Sequence, residues 1–322
     1  IAQDAALHEL ALRLCTEALS RPAHQPLRCC LQGTPGTGKS RSAEMLADLL
    51  DMPYVHVDAA SIPDPYTAAS QFFGSARGIV NSNQPGRLEK AAKHHAGAVV
   101  EVADLDHAVP TVRCVLADQF LQILETGIGQ SATGASFCCD KLIFVFTMNL
   151  PGQLDEKVRK RIGFGSELSR TEITDRVTTE LRKVVSGAFL SRVGRPILFQ
   201  PLTDASVAQI VEREIVHALR VAASRGELQP GGIQLEDGLG ARLLATADAN
   251  AETVGARGLQ DTVRTRVSRA FIGALRSDRL ASGHAWHVSM DAGGELVVSG
   301  GAAGPQNRLG DSEPKCKRTE AG

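Results

Sequence analysis

Aromatic side chains and long apolar segments are both scarce in this chain of 322 residues. Phenylalanine, tryptophan and tyrosine together make up 4% of the sequence, so we expect a core built mainly from aliphatic side chains and alanine. The longest strongly apolar run is LIFVFTM, residues 142–148. A transmembrane helix needs about 20 apolar residues, so the sequence predicts no membrane-spanning helix.

Cysteine pairs that could bind a metal and an excess of charge are also missing. The seven cysteines include no Cys-x-x-Cys spacing. Four of them are neighbours in sequence, as Cys29–Cys30 and Cys138–Cys139. This pattern argues against a disulfide framework or a zinc site and favours free thiols in a reducing compartment, so we expect a cytoplasmic protein. The 35 basic and 36 acidic side chains nearly cancel, which argues against nucleic acid or a membrane as partner. Because the chain begins at Ile1 rather than Met, we expect a piece of a longer protein.

Short apolar segments alternate with helical periodicity along the first two-thirds of the chain. The apolar runs predict five strands, at residues 26–33, 54–58, 98–103, 141–149 and 196–202. Apolar residues at helical spacing predict helices at residues 4–20, 39–50, 86–95 and 110–125. Strands that alternate with helices predict an α/β fold whose parallel strands are joined by right-handed crossovers.

The pattern changes after Pro201, where we place a domain boundary. Three helical segments follow, at residues 203–225, 235–248 and 256–277, and then two strand-like segments, at 285–290 and 295–300. We therefore predict a first domain at residues 1–201 and a small, mainly helical C-terminal domain at residues 202–300. Residues 301–322 are rich in glycine, proline and charge, so we expect them to form a disordered tail.

The segment GTPGTGKS, residues 33–40, matches the Gly-x4-Gly-Lys-Ser/Thr pattern of P-loop nucleotide hydrolases. It follows a predicted strand and opens a predicted helix, which is the context that the pattern requires. Glycines let backbone N–H groups turn toward phosphate oxygens, and the helix N-terminus adds partial positive charge. We expect ATP to bind along the whole loop, at Gly33, Thr34, Pro35, Gly36, Thr37, Gly38, Lys39 and Ser40. Lys39 would reach the β- and γ-phosphates, and the Ser40 hydroxyl would bind Mg²⁺.

Four further segments follow the same order as landmarks of a known family. They are IAQDAAL (1–7), TMNLPG (147–152), FLSRVGRPILFQPL (189–202) and VGARGLQ (254–260). With the phosphate loop, they resemble the AAA+ ATPases of the Clp family, especially the second nucleotide-binding module of Clp unfoldases and disaggregases. The resemblance implies a P-loop NTPase αβα sandwich with a five-stranded parallel sheet, followed by a small helical lid.

The resemblance also implies roles for three residues outside the loop. Asn149 corresponds to the sensor that orients a water toward the γ-phosphate. Arg192 corresponds to the arginine finger, which acts on the nucleotide of a neighbouring subunit, and Arg257 corresponds to the lid arginine, which acts in its own subunit. An arginine finger requires a ring of subunits, so we expect a homo-oligomeric ring. Taken singly, each arginine is better explained by a surface salt bridge, and it is their shared order along the chain that favours the functional roles.

The acidic pair of the Walker B motif is altered. The Clp pattern VVLLDEIEKAHPDV, laid without gaps on residues 99–112, puts Ala103 at the Walker B aspartate and Asp104 at the catalytic glutamate. Shifting the alignment by one residue moves Asp104 to the aspartate position and leaves an apolar residue at the other. Neither alignment restores both carboxylates, which predicts slow hydrolysis with nucleotide binding kept. Glu101, on the same sheet face as Ala103, and Asp106 are the carboxylates that could compensate.

Two segments resemble surfaces through which Clp proteins contact other chains. Residues 73–88 resemble the pore loop that grips a polypeptide substrate, with Ile79 and Val80 in place of its Tyr-Val. Residues 161–167 resemble a loop that docks a peptidase ring through Ile162, Gly163 and Phe164. An ordinary surface loop is the alternative explanation for both.

Three functions fit these observations. The first is an ATP-driven protein-remodelling motor in which Asp104, Asn149 and Arg192 serve hydrolysis. The second is a nucleotide-binding switch or scaffold with little hydrolysis, which the altered Walker B motif favours. The third is an AAA+ protein that acts on nucleic acid, and the near-neutral charge argues against it. The retained arginines favour the motor, so we expect slow ATP hydrolysis coupled to protein unfolding.

Overall fold

A computed structural model describes residues 2–75, 85–149, 170–246, 251–277, 279–280 and 282–301, without the side chains of 170–171, 251–259 and 301. The chain divides into two compact units. The larger comprises Gln3–Pro201, and the smaller begins at Leu202. The tail predicted at residues 301–322 lies outside the described residues, except that Gly301 ends a strand.

The larger unit is built on a parallel sheet of five strands. Its strands are β1 (Leu27–Gln32), β2 (Tyr54–Asp58), β3 (Ala98–Ala103), β6 (Leu142–Met148) and β7 (Ile197–Leu198), while β4 (Ile128–Gln130) and β5 (Ser136–Cys138) form a separate antiparallel hairpin. The strand order is β2-β3-β6-β1-β7, and every neighbouring pair runs parallel. The predicted five-stranded parallel sheet is confirmed.

Helices cover both faces of this sheet. The described helices of the larger unit are α1 (Asp4–Ser20), α2 (Lys39–Leu49), α3 (Pro65–Phe73), α4 (Arg87–Lys93), α5 (Pro110–Thr126), α6 (Arg170–Leu181) and α7 (Gly187–Val193). Helices α1 and α2 pack on one face, and α3 to α7 contribute to the core on the other. Because both faces are covered, every residue of the central strands β3 and β6 is buried. The predicted αβα sandwich is confirmed.

The few aromatic residues are concentrated on one face of the sheet. Seven of the ten phenylalanines belong to the core that α3 to α7 cover. Phe120 of α5 stands edge-on to Phe72, Phe144 and Phe146, with ring centroids 5.3 or 5.4 Å apart. The face under α1 and α2 is mainly aliphatic. A low aromatic content therefore does not mean that the aromatic residues are dispersed.

The smaller unit combines helices with a three-stranded sheet. Its elements are α8 (Asp204–Arg225), β8 (Gly232–Leu235), α9 (Leu239–Thr246), α10 (Ala251–Arg276), β9 (Ala285–Met290) and β10 (Leu296–Gly301). Strand β9 is central, antiparallel to β10 and parallel to β8. Trp286 of β9, the one tryptophan of the chain, is fully buried against Phe271 of α10. No described helix of either unit is long and apolar enough to span a bilayer.

Several element boundaries differ from the sequence-based expectation. The helix expected at 235–248 begins only at Leu239, because Leu235 ends strand β8 and a turn follows at Gly238, where φ is 71°. The strand expected at 196–202 is shorter, at Ile197–Leu198, and Pro196, which lacks the N–H that a ladder requires, immediately precedes it. The hairpin and helices α3, α6 and α7 have no counterpart in the expectation.

Candidate functional site

The loop between β1 and α2 has a backbone that requires glycine. Gly36 and Gly38 have φ angles of 80° and 99°, which side chains other than glycine rarely adopt. A Cβ on Gly33 would lie 2.7 Å from the carbonyl oxygen of Phe199, so this position also excludes a side chain. The Thr37 hydroxyl donates a 2.8 Å hydrogen bond to the carbonyl of Thr34 and closes the turn. The glycines of the motif are thus explained by the geometry of the loop.

The backbone around Gly38 is open to an anion. A Cβ on Gly38 would meet no atom within 4 Å, so the space beside this residue is free. Gly38 immediately precedes α2, where the N-terminal N–H groups and the helix dipole favour an anion. An open concave backbone at a helix N-terminus is the arrangement that binds phosphate groups in P-loop proteins.

Lys39 lies folded over the loop rather than in solvent. Its side chain is buried, with 7% of the residue exposed. The ammonium Nζ donates to the carbonyl oxygens of Gly33 at 2.7 Å and Thr34 at 3.0 Å, and to Asn149 Oδ1 at 2.9 Å. Burial lowers the pKa of Lys39 to about 8, although nearby carboxylates, first that of Asp104, limit the decrease. The lysine is therefore held where it can meet a polyanion.

Asn149 connects the lysine to the end of β3. Its Nδ2 donates a 2.8 Å hydrogen bond to Asp104 Oδ1, and its backbone N–H donates to Asp106 Oδ1 at 3.1 Å. Asp104 has a φ of 50°, a left-handed conformation that is uncommon outside glycine and often found at functional sites. The structure thus brings Lys39, Asn149 and Asp104 together.

The end of β3 carries no carboxylate at its last position. Ala103 is 4% exposed and pairs with Asp58 of β2, whose side chain instead caps the following turn at the N–H of Ala60. Asp106 accepts the hydrogen bond from the backbone N–H of Asn149. Burial raises the pKa of Asp106 above its usual range, and this hydrogen bond opposes the increase. Asp104 and Asp106 are therefore the acidic groups that contact Asn149.

Glu101 lies two residues earlier in the same strand and is fully buried. Its Oε2 accepts hydrogen bonds from the Tyr54 hydroxyl and from His56 Nδ1, the latter at 2.8 Å. Burial alone would raise the pKa of Glu101, but the hydrogen bonds from His56 and Tyr54, with the nearby Ser40 hydroxyl acting in the same direction, hold it below its usual range. Sequence reasoning missed the two β2 partners, although the alternation in YVHVD places both on one face of that strand.

Arg192 is not part of this group. Its guanidinium forms a 2.7 Å ion pair with Glu125 at the end of α5 and is 46% exposed. None of the hydrogen bonds or ion pairs between described residues joins it to the phosphate loop. Arg257 falls in α10, but its side chain lies outside the described part, as do Ile79, Val80, Ile162, Gly163 and Phe164. The roles expected of all these residues stay predictions.

Comparison with known families agrees with the geometry of the site. The family model described as "AAA domain (Cdc48 subfamily)" matches residues 25–195, which is 171 of the 322 residues. The chain belongs to this AAA family. The matched segment runs from just before β1 to just after α7, so this AAA domain includes the phosphate loop, Asp104, Asn149 and Arg192.

The most similar relatives considered are Clp proteins. The ClpA homolog CD4B of Solanum lycopersicum, a chloroplastic ATP-binding subunit of an ATP-dependent Clp protease, is 25% identical over 94% of this chain and 33% of its own length. The chaperone protein ClpB of Wolinella succinogenes is 26% identical over 93% of this chain and 33% of its own length. The predicted resemblance to the Clp family is confirmed, and the chain spans about a third of these relatives.

A solved structure agrees on the fold. Hsp104 in a closed state, reconstructed with ATPγS and FITC casein, superposes with a TM-score of 0.70 at 20% identity. The match covers 91% of this chain and 48% of the Hsp104 chain.

Proposed function

We propose that this AAA module binds Mg²⁺-ATP at residues 33–40 and hydrolyses it slowly to drive the remodelling of polypeptides. The observation that carries the proposal is the hydrogen-bonded series from Lys39 through Asn149 to Asp104. It joins the phosphate-binding side of the site to a carboxylate that can act as a base. A surface lysine on a glycine-rich turn would not be buried and connected in this way.

Each residue of the site has a role in this proposal. The loop N–H groups and Lys39 hold the phosphates, and the Ser40 hydroxyl contributes to the metal site. When bound, Mg²⁺ neutralises charge on the β- and γ-phosphate oxygens. Asn149 and Asp104 orient a water and accept its proton. Arg257, on the smaller unit, is proposed to contact the nucleotide of its own subunit.

Slow turnover is proposed from the residues at the end of β3. Ala103 supplies no carboxylate, and where no other carboxylate takes its place, loss of a group that orients metal ligands typically costs about 10–100-fold in affinity or activity. Asp104 is one methylene shorter than the expected glutamate, and a misplacement of about 1 Å can cost about 100-fold in rate. These changes leave the phosphate loop intact, so we expect ATP affinity to be kept and the rate of hydrolysis to be lowered.

The proposed assembly is a homo-oligomeric ring. Arg192 is exposed apart from its contact with Glu125, so its guanidinium is available to a neighbouring subunit. A polypeptide would be contacted through Ile79 and Val80, and a peptidase partner through Ile162, Gly163 and Phe164. The names of the relatives, a Clp protease subunit and a chaperone, and the casein in the Hsp104 structure support this class of substrate. Cytoplasmic location and the absence of a nucleic-acid or membrane partner remain predictions.

A nucleotide-dependent switch is the second candidate. The observation in its favour is that Ala103 and Asp104 stand where the family pattern has Asp-Glu. In this candidate, nucleotide would change the conformation of the module without being consumed.

Steady-state ATP turnover, with and without casein as an unfolded protein, separates the two. The Lys39→Ala variant is the control for turnover that does not depend on the phosphate loop. Turnover above that control, stimulated by casein, supports the motor. Turnover equal to the control, with ATP binding intact in a calorimeter, supports the switch. If the folded protein binds neither ATP nor ADP at millimolar concentration with magnesium, both candidates are wrong.

A further inference from the structure

Glu101 is a charged side chain on a buried, otherwise apolar strand. Side chains of a strand alternate between the two faces of the sheet, so Glu101 shares its face with Val99 and Ala103. Val99 belongs to the same core cluster as Ala43 and Ala47 of α2. Glu101 therefore lies on the face that α2 covers, one side-chain position below Ala103 and beneath the helix that follows the phosphate loop.

The two oxygens of its carboxylate have different surroundings. Oε2 accepts hydrogen bonds from both Tyr54 and His56. Oε1 is buried and accepts no hydrogen bond within the described ranges of the chain. The Ser40 hydroxyl is near enough to this carboxylate to favour its charged form. Buried carboxylate oxygens without a partner are rare, so Oε1 requires an explanation.

A structural ion pair with His56 is the competing explanation. The His56 side chain is 42% exposed on the edge strand β2, and it lies 2.8 Å from Oε2. It accounts for that oxygen and for the orientation of the carboxylate. It leaves Oε1 unexplained, and it does not explain why a negative charge is placed beside Ser40.

A hydrated magnesium ion would account both for the unpaired Oε1 and for the negative charge beside Ser40. Protein sites for Mg²⁺ typically use one or two carboxylates together with substrate phosphates, and the ion keeps several of its waters. Among the described residues, no group of three His, Cys, Asp or Glu side chains could hold a metal ion by themselves. A metal at Ser40 would thus depend on the nucleotide and on an acceptor for its waters.

We propose that Glu101 replaces the missing Walker B aspartate and accepts hydrogen bonds from hydrated Mg²⁺ beside Ser40. The longer glutamate side chain compensates for a position two residues deeper in the strand, and Ala103 places only a methyl group on the same face of that strand. Tyr54 and His56 hold the carboxylate in place through its other oxygen. Glu101 is a positioning residue for the metal, and the proposal rests on the proposed function because it presumes that nucleotide binds at residues 33–40.

The test measures metal binding rather than turnover. Mn²⁺ replaces Mg²⁺, and its affinity for the ADP complex of the full chain is read from the electron paramagnetic resonance signal of free Mn²⁺. The Glu101→Gln variant keeps the shape and removes the charge. Mn²⁺ affinity should fall by about 10–100-fold, as for other groups that orient metal ligands. ADP affinity in EDTA should change less than about threefold, because the phosphate loop is untouched.

His56→Gln is the matched control. If Glu101 serves only as the ion-pair partner of His56, both variants unfold at lower temperature and neither changes Mn²⁺ affinity, which would overturn the proposal. If wild-type protein binds no ADP, with or without Mn²⁺, the proposed function fails before Glu101 is tested. If ADP binds and the Glu101→Gln variant keeps wild-type Mn²⁺ affinity, only the role of Glu101 is wrong.

The Ala103→Asp variant keeps the proposal testable if Glu101→Gln does not fold. A carboxylate added at position 103 should change wild-type Mn²⁺ affinity by less than about threefold, because Glu101 already supplies one. An increase of tenfold or more would show that the wild-type site lacks this group and would overturn the proposal. Where Glu101→Gln does fold, adding Ala103→Asp should restore most of the lost Mn²⁺ affinity.

Discussion

The phosphate loop and the end of strand β3 belong to one site but follow the family pattern to different degrees. In the loop, each glycine of the motif occupies a position where the backbone requires it, and Lys39 is buried above the turn. At the end of β3, Ala103 and Asp104 stand where the family pattern has Asp-Glu. The loop acts through backbone N–H groups and one cation, whereas the strand end acts through carboxylates whose exact reach matters. Binding can therefore be kept while hydrolysis is weakened.

The largest expected effect is a loss of ATP affinity when the phosphate loop is changed. Lys39→Ala should weaken ATP affinity by about 30-fold or more, because removing one partner of a buried charge pair costs about 2–5 kcal/mol. Calorimetric titration with ATP measures it. Lys93→Ala is the control, since that lysine is 66% exposed and forms an ion pair with Glu89 on its own helix. Equal affinities for the two variants would mean that the loop does not hold the phosphates.

The strand end is tested by changing Asp104. Asp104→Ala should lower turnover by about 100-fold, the lower limit for loss of a general base, with ATP affinity within about threefold of wild type. Phosphate release in single-turnover experiments measures the rate, and Asp118→Ala, an exposed position on α5, is the control. Asp104→Glu should raise turnover, because it restores the expected reach. An unchanged rate in Asp104→Ala would transfer the role of base to another carboxylate, first to Asp106.

The pH dependence of binding sharpens the comparison because Lys39, in the loop, titrates near pH 8. Burial sets the pKa of Lys39 at about 8, and phosphates can only raise it. Nucleotide therefore binds the protonated form, and affinity falls as pH rises through 8. Between pH 7 and pH 9 the loss should be about tenfold, with proton uptake on binding at pH 9. Titrations in buffers of different ionisation enthalpy measure both, and a flat profile would contradict the assignment.

The sequence predicts the parts of the site that depend on local spacing. The phosphate loop is recognised because eight consecutive residues carry the pattern between a strand and a helix. Asn149 is recognised because it follows the end of the long apolar strand β6. The parallel sheet is predicted because strand segments alternate with helical segments along the chain. Strands of such a sheet are buried on both faces, so they appear in the sequence as continuous apolar runs.

Other parts depend on which strands become neighbours, and the sequence does not give that. Tyr54 and His56 meet Glu101 only because β2 pairs with β3 in one register. Arg192 meets Glu125, which lies 67 residues earlier. Strand β8 escapes detection because it has only four residues, all of them half-buried. Partner choice is a property of the folded chain, so these contacts had to be seen in the structure.

The smallest expected effect is on ATP affinity when Gly38 is replaced, and a second glycine with positive φ shows how much of it comes from backbone strain alone. Gly38 and Gly134 both have positive φ, 99° and 85°, and a Cβ on either would meet no atom within 4 Å. Alanine at either position should therefore lower the free energy of unfolding by a similar amount, about 1–2 kcal/mol, measured by denaturant titration. Only Gly38→Ala should also weaken ATP binding, by up to about tenfold or 1.4 kcal/mol, because its new methyl group would occupy free space within the proposed phosphate-binding loop. Gly134 lies in the β4–β5 hairpin, so Gly134→Ala should leave binding unchanged. If both variants weaken binding equally, the loss reflects general destabilisation, and the open side of the loop is not where phosphate binds.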